Sequence, residues 1–345
     1  MIPRLPIELS PAFDDRDSIE RLFDRLAPYS MLQARAQVMG SHLEQAAITG
    51  EPITEEMVEA ASEGGTATLR LTPTFRGYWS TPDHVAEGVE PLVHHERFVD
   101  AARRLHGAEI VRPTEIYAHV IVPHRQAGAG AHVDLPAFRG VGRRELPVWL
   151  LVTMRRSGLF ERWRIPVATA VCWLYDGPGG SFTYWPKGPD GPPVSTRRPF
   201  DNTAVVGEND SMFHRGDPVG DGGRLIPEGL TVESRLLPSD ASGRTWVIRD
   251  ADREIASYVR EEVRFALSWS AQVFADTMAA RMADDHEDDL DVSTVPEVFL
   301  HDLRRRGIPC PEPSDPHSDP RWIAVLGRTY RMVPKLDPAA DSAAG

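Results

Sequence analysis

Apolar residues recur at helical spacing from Asp17 to about Gly64, at Leu22, Leu26, Met31, Ala34, Val38, Leu43 and Ala46. This predicts a mostly helical opening third, with Asp17 or Ser18 capping its first helix. The run from Pro91 to His106 (PLVHHERFVDAARRLH) repeats the period, placing Val93, Phe98, Ala101, Ala102 and Leu105 on one side. Pro91 at its start and Gly107 just past its end are the expected boundary residues. After Glu109 the pattern shortens to strand-like runs: EIYAHVIV (115–122), LPVWLLVTM (146–154), ATAVCWLY (168–175), SFTYWP (181–186), TAVVGEN (203–209) and RFALSWSAQVF (264–274). The separators QAGAGA, DGPGG, KGPDGPP and GDPVGDGG are rich in Gly and Pro, which suits turns between antiparallel strands better than helical crossovers. The expected fold class is mainly β with helical flanks around a double-stranded β-helix, or jelly-roll, core.

Helical periodicity returns beyond Asp276 in DTMAARMADD and in VPEVFLHDLRRRG, which ends at Gly307. The tail from Pro309 is rich in Pro and Asp and is expected to hug the surface or to be partly disordered. The chain thus divides into a mostly helical layer (1–108), a jelly-roll catalytic core (109–275) and a helical C-terminal segment with its tail (276–345), all in one compact unit. No internal repeat is visible.

Composition narrows the chemistry. At 345 residues, 41% hydrophobic and 26% charged, the chain can bury a large core. A formal charge of -13 argues against nucleic acid or an anionic membrane as partner, since both are held by Lys and Arg. Lys187 and Lys335 are the only lysines, a bias that fits a GC-rich bacterial genome. No stretch approaches the roughly 20 apolar residues that span a bilayer, and MIPRLPIELSPAFDD does not read as a secretion signal, so the cytoplasm is the expected location. The two cysteines, Cys172 and Cys310, have no neighbours at metal-ligand spacing, so any metal must be held by His and carboxylates.

A His and a carboxylate two residues apart on an extended segment point to one side. The spacing occurs five times, at His42 and Glu44, His94 and Glu96, His132 and Asp134, His286 and Asp288, and His317 and Asp319. Three of these pairs lie in or beside predicted helices, where a spacing of two separates the side chains, and one lies in the acidic tail. Only His132 and Asp134 sit between strands, and His214 is the candidate third ligand. Two His and one carboxylate on one face of an octahedron leave the other face open for a co-substrate and dioxygen, which suits a non-haem iron(II) site.

The ordered set of His132 and Asp134, the Gly179-Gly180 turn leading to Phe182–Trp185, and His214-Arg215-Gly216 resembles the 2-oxoglutarate- and iron(II)-dependent oxygenase superfamily over residues 115–274. The resemblance implies a metal triad of His132, Asp134 and His214, with Fe(II), 2-oxoglutarate and O2 as the reacting set. It also implies an arginine for the far carboxylate of 2-oxoglutarate, for which a planar guanidinium is well matched. Arg264 opens a convincing strand and is favoured. Arg224 lies closer to His214 in sequence, but RLIPEGL does not read as a strand. Tyr117 and His119 share one face of EIYAHVIV and are candidate co-substrate contacts. Phe138, Arg139, Tyr184 and Trp185 are the candidate substrate residues.

The implied reaction is oxidation of a small metabolite, such as an amino acid or natural-product intermediate, with release of succinate and carbon dioxide. Hydroxylation is the default outcome, and the carboxylate of Asp134 argues against halogenation. Two rivals stay open at this level: a cupin-like jelly roll that binds metal or ligand without oxidising anything, and a metal-dependent isomerase or hydrolase. No G-x-S-x-G, phosphate loop or H-E-x-x-H is present.

Overall fold

The computed structural model describes residues 2–32, 41–65, 71–125, 130–240 and 242–335. Its centre is an antiparallel sheet in which Thr203–Gly207, Val167–Leu174, Arg264–Phe274 and Ile110–Ile121 lie side by side in that order. Ile7–Leu9 extends one edge, and Thr74–Thr81 pairs with Ile110–Ile121 on the other. A smaller sheet of Val194–Ser195, Phe182–Tyr184 and His214–Gly216 packs against it, joined by a core that includes Trp173, Val205 and Ala266 from the larger sheet and Phe182 and Tyr184 from the smaller. From Val167 to Gly216 the chain passes from the larger sheet to the smaller, back to the larger at Thr203–Gly207, and to the smaller again at His214–Gly216, and such crossing between two packed sheets is the jelly-roll arrangement.

Strand alternation separates two kinds of surface on the larger sheet. Phe265, Leu267 and Trp269, with Ile116, Ala118, Val120, Ala170, Cys172 and Leu174, face one way into the main apolar core. Helix Glu96–His106 covers that face with Phe98, Ala101, Ala102 and Leu105. The other face, toward the smaller sheet, carries Tyr117, His119, Arg264 and Ser268 in register with Val171 and Trp173. Polar and charged groups on a sheet's inward face mark where the chemistry lies.

Several expectations change. LPVWLLVTM does not form a strand; Val148–Ser157 is a helix running from Pro147 to a left-handed Gly158 (φ 69°). Its residues are buried on all sides in a helical cluster, and an apolar run without periodicity cannot distinguish a buried strand from a buried helix. The opening third mixes helices with strands of the larger sheet. Helices Arg16–Arg25, His42–Thr49 and Glu55–Ser62 form, but Ile7–Leu9, Tyr29–Met31 and Thr74–Thr81 enter the larger sheet, so Met31 is a strand residue. Ala34 and Val38 lie outside the described residues, as do positions 126–129 of the QAGAGA turn.

The first helix is capped by Asp15, whose carboxylate accepts from the Ser18 N–H at 3.0 Å, and not by Asp17 or Ser18. The segment from 91 to 106 is broken at His94 and His95 into Glu90–Val93 and Glu96–His106. Between His214 and Arg264, a meander of Arg235–Pro238, Thr245–Asp250 and Arg253–Val259 extends the sheet. The tail also does more than expected: Asp319 and Pro320 start helix Pro320–Thr329, which buries Trp322, Ile323 and Leu326. Positions 336–345 lie outside the described residues. Among the described residues, no helix is long and apolar enough to cross a membrane.

Candidate metal centre

The segment after Ile110–Ile121 is drawn against the strand His214–Gly216 by a pair of backbone hydrogen bonds. His132 N–H donates to the His214 carbonyl at 3.0 Å, and His214 N–H donates to the His132 carbonyl at 2.9 Å. The Asp134 N–H then donates to the Asn209 carbonyl at 2.9 Å. These bonds bring two segments far apart in sequence into one cluster, in which one ligand atom each from His132, Asp134 and His214 lies within 4.8 Å of the others. His214 Nε2 stands 3.5 Å from Asp134 Oδ1, and the imidazole centroids are 4.6 Å apart.

Each imidazole is oriented by its other nitrogen. His132 Nδ1 donates to the Gly130 carbonyl at 2.8 Å and His214 Nδ1 to the Met212 carbonyl at 2.9 Å. Both rings therefore keep an Nε2 lone pair for the cluster, as metal-binding histidines require. Burial works against the Asp134 carboxylate, but His214 and His132 hold it well below the usual carboxylate range. Burial and then His214 push His132 down to about 4. An ionised carboxylate beside two oriented imidazoles is a donor set that fits a divalent transition metal with open positions.

A buried ion network braces the turn that carries this cluster. Arg164 Nη2 bonds Asp210 Oδ1 and Glu208 Oε1, each at 2.7 Å, and its Nε bonds Asp210 Oδ2 at 3.0 Å. Arg155 donates to Ser211 Oγ and to Glu161. Residues 208–211 thereby hold Asn209 and lead directly into Met212 and His214.

Of the two arginines weighed for the co-substrate, only one lies inside. Arg264 is 3% exposed, donates Nε to the Gly180 carbonyl at 2.8 Å, and among the described residues forms no ion pair. Burial pushes it down to about 10. The Gly-Gly turn explains the fit: Gly179 and Gly180 have φ of 66° and 70°, and a Cβ on Gly180 would sit 2.9 Å from Arg264 Cδ. Arg224 lies outside, with 45% of its side chain exposed, paired with Glu262 and placed over the Tyr258 ring.

Tyr117 and His119 both face inward beside the cluster. Burial pushes the Tyr117 hydroxyl up to about 12, with Asp134 adding to the rise and Ser268 as hydrogen-bond partner. Burial, then Arg76, Arg264 and His132, holds His119 well below its ordinary value, and its Nε2 is enclosed without a partner.

The substrate candidates are engaged elsewhere. Phe138 packs against Phe160 in the helical cluster, and Arg139 bonds the Arg162 carbonyl at 2.9 Å and Asp288 at 3.2 Å. Tyr184 spends its hydroxyl on Glu8 at 2.8 Å. Trp185 packs with Val133 and Phe213, the neighbours of the ligands, and donates Nε1 to the Lys335 carbonyl. Sequence reasoning missed Arg76 altogether. The available signal was TFRGYW, in which Arg76 and Tyr78 alternate with Phe75.

No family model and no curated protein matches the chain. Among solved structures, a 2OG-Fe(II) oxygenase family oxidoreductase from Burkholderia pseudomallei is similar at 11% identity and a TM-score of 0.31, covering 58% of this chain and 66% of that one. A Pseudomonas putida prolyl-4-hydroxylase is similar at 10% identity and a TM-score of 0.34, covering 79% and 94%. A Trichoplax adhaerens prolyl hydroxylase, in complex with a hypoxia inducible factor peptide fragment, gives 11% identity, a TM-score of 0.36, and 78% and 84% coverage. At such identities the role of each residue rests on this chain's own geometry. In the order of its motifs and in the cluster they form, the chain resembles the 2-oxoglutarate- and iron(II)-dependent oxygenases.

Proposed function

We propose that the protein is an iron(II)- and 2-oxoglutarate-dependent dioxygenase that oxidises, by default hydroxylates, a small-molecule metabolite. The observation that carries this reading is the convergence of His132, Asp134 and His214, with both imidazoles presenting Nε2 and, on the same inward face, the buried Arg264, which forms no ion pair among the described residues. His132, Asp134 and His214 would hold the metal, and Arg264 would bind the far carboxylate of 2-oxoglutarate through a charge-assisted fork. Iron(II) with 2-oxoglutarate and dioxygen would supply the chemistry for oxidising a C–H bond, with succinate and carbon dioxide as co-products.

The chain's contribution is binding and orientation. The backbone pairing of residues 132 and 214 fixes the ligand geometry, and the Gly130 and Met212 carbonyls fix the tautomers. Tyr117, kept protonated by burial and hydrogen-bonded to Ser268, would line the inward face toward a bound co-substrate. His119, kept neutral, lines the interval between Arg264 and the metal ligands without repelling either cation.

The reading is tested by incubating the protein with iron(II) and 2-oxoglutarate and following succinate. We expect oxygen-dependent succinate release, abolished in His132→Ala and His214→Ala with the fold retained by circular dichroism. Wild-type-like release in either variant would sink the assignment.

A further inference from the structure

The inward face carries a second arginine that the oxygenase reading leaves without a task. Arg76 lies on Thr74–Thr81, directly opposite His119 in the ladder with Ile110–Ile121. Its guanidinium sits over the Tyr117 ring at 4.1 Å and hydrogen-bonds Tyr78, while its Nε is buried with no partner. Among the described residues it forms no ion pair, although Asp134 lies within its electrostatic reach. A guanidinium held by aromatic groups, facing a metal centre and lacking a carboxylate partner, is arranged for an anion that arrives from outside.

Glu115 supplies the complementary charge. It shares a face with Tyr117 and His119 on Ile110–Ile121, lies opposite Ser270, and forms no ion pair among the described residues. Burial raises its carboxyl, with Arg76, Asp134 and the exposed Arg143 as its charged neighbours. Along this strand, Arg264 and His119 lie to one side of Tyr117 and Glu115 to the other. The co-substrate arginine and the Glu115 carboxylate therefore sit at opposite ends of the same inward row.

We infer that the substrate is a small α-amino acid or close analogue, with Arg76 taking its carboxylate and Glu115 its ammonium group beside the metal. This deepens the oxygenase reading and rests on it. A substrate bearing both charges would give each of these two groups a direct partner at once, which selects against molecules lacking either charge.

The test uses the full chain loaded anaerobically with iron(II) and 2-oxoglutarate. Each standard L-α-amino acid is titrated by calorimetry beside its carboxamide and its N-acetyl derivative. We expect at least one free amino acid to bind, with both derivatives weaker on the order of 100-fold. Arg76→Gln should lose that binding while its Kd for 2-oxoglutarate stays within about 2-fold, a change too small to reflect a lost charged contact. Glu115→Gln should lose discrimination between the free and N-acetylated forms, and it keeps the test decisive if Arg76→Gln does not fold.

Equal binding of the carboxamide, or no response to any free amino acid while iron and 2-oxoglutarate bind, overturns the inference and leaves the oxygenase reading standing. A weakened 2-oxoglutarate Kd in Arg76→Gln overturns it by assigning Arg76 to the co-substrate. Failure of the wild-type protein to take up iron and 2-oxoglutarate overturns both.

Discussion

Single residues divide by whether their role depends on local pattern or on distant pairing. His132 and Asp134 stand out among five pairs of that spacing because they alone lie between predicted strands, and His214 because it opens His-Arg-Gly; the structure brings the three into one cluster. Arg264 stands out in the sequence because it opens RFALSWSAQVF, a run that reads as a single strand, and the structure places it at the start of that strand. Arg76 does not, because its position depends on a ladder partner, His119, that local sequence cannot name.

The contrast between the two arginines gives a prediction at this scale. Arg264→Ala should weaken 2-oxoglutarate binding on the order of 100-fold, as expected for loss of a buried charge-assisted contact. Arg224→Ala should leave that Kd within about 2-fold, because exposed pairs such as Arg224 with Glu262 contribute little. The reverse ranking in a calorimetric titration would mean that the co-substrate lies on the outer side. Gly180→Ala probes the same arginine from its neighbour. A Cβ 2.9 Å from Arg264 Cδ, at a φ of 70°, should displace the guanidinium and weaken 2-oxoglutarate while sparing iron. Unchanged 2-oxoglutarate affinity in that variant would contradict the placement of Arg264.

Elements were legible where their period was clean and misread where burial erased it. Arg264–Phe274 falls on the predicted residues because its length and β-branched and aromatic content admit one reading. Val148–Ser157 was misassigned because every position from Trp149 to Met154 is buried, leaving neither a period of two nor one of 3.6. That helix contributes Arg155, which joins Arg164 in bracing the turn at 208–211.

Removing Arg164 would take the nearest cation from Asp210, whose side chain is 1% exposed, leaving it Arg155 at 3.8 Å, and from Glu208 at 7%. Arg164→Met should therefore cost about 3–5 kcal/mol in urea unfolding, the scale for breaking a buried pair from one side. It should also loosen the Asn209 carbonyl that holds Asp134, so iron affinity should fall in protein that is still folded. A loss below about 1 kcal/mol, the range of an exposed pair, would show that the network is not structural.

At the scale of the whole molecule, the sheet core supplies the site and the helical cluster holds the rest around it. The cluster joins Leu43, Ala47 and Val58 from the first part of the chain with Phe299, Trp322 and Leu326 from the last, so the ends pack together beside the jelly roll. The boundaries drawn at 108 and 275 were set by a change of local period, whereas this packing and the shared sheet are long-range. The strands of the meander between His214 and Arg264 were likewise hidden. They pair with one another and, through Arg235 and Leu236, with Ser30 and Tyr29, partners that local sequence cannot name.

The central claim is that this architecture brings two imidazoles, a carboxylate and a buried arginine to one inward face to hold iron(II) and 2-oxoglutarate. Anaerobic titration of the protein with iron(II), then with 2-oxoglutarate, followed by visible absorption, tests it most directly. The account predicts a weak charge-transfer band that appears only when both are present, saturates at one equivalent of each, and is absent in His214→Ala. A band that persists in His214→Ala, or no band in the wild-type protein at saturating iron and 2-oxoglutarate, would contradict it.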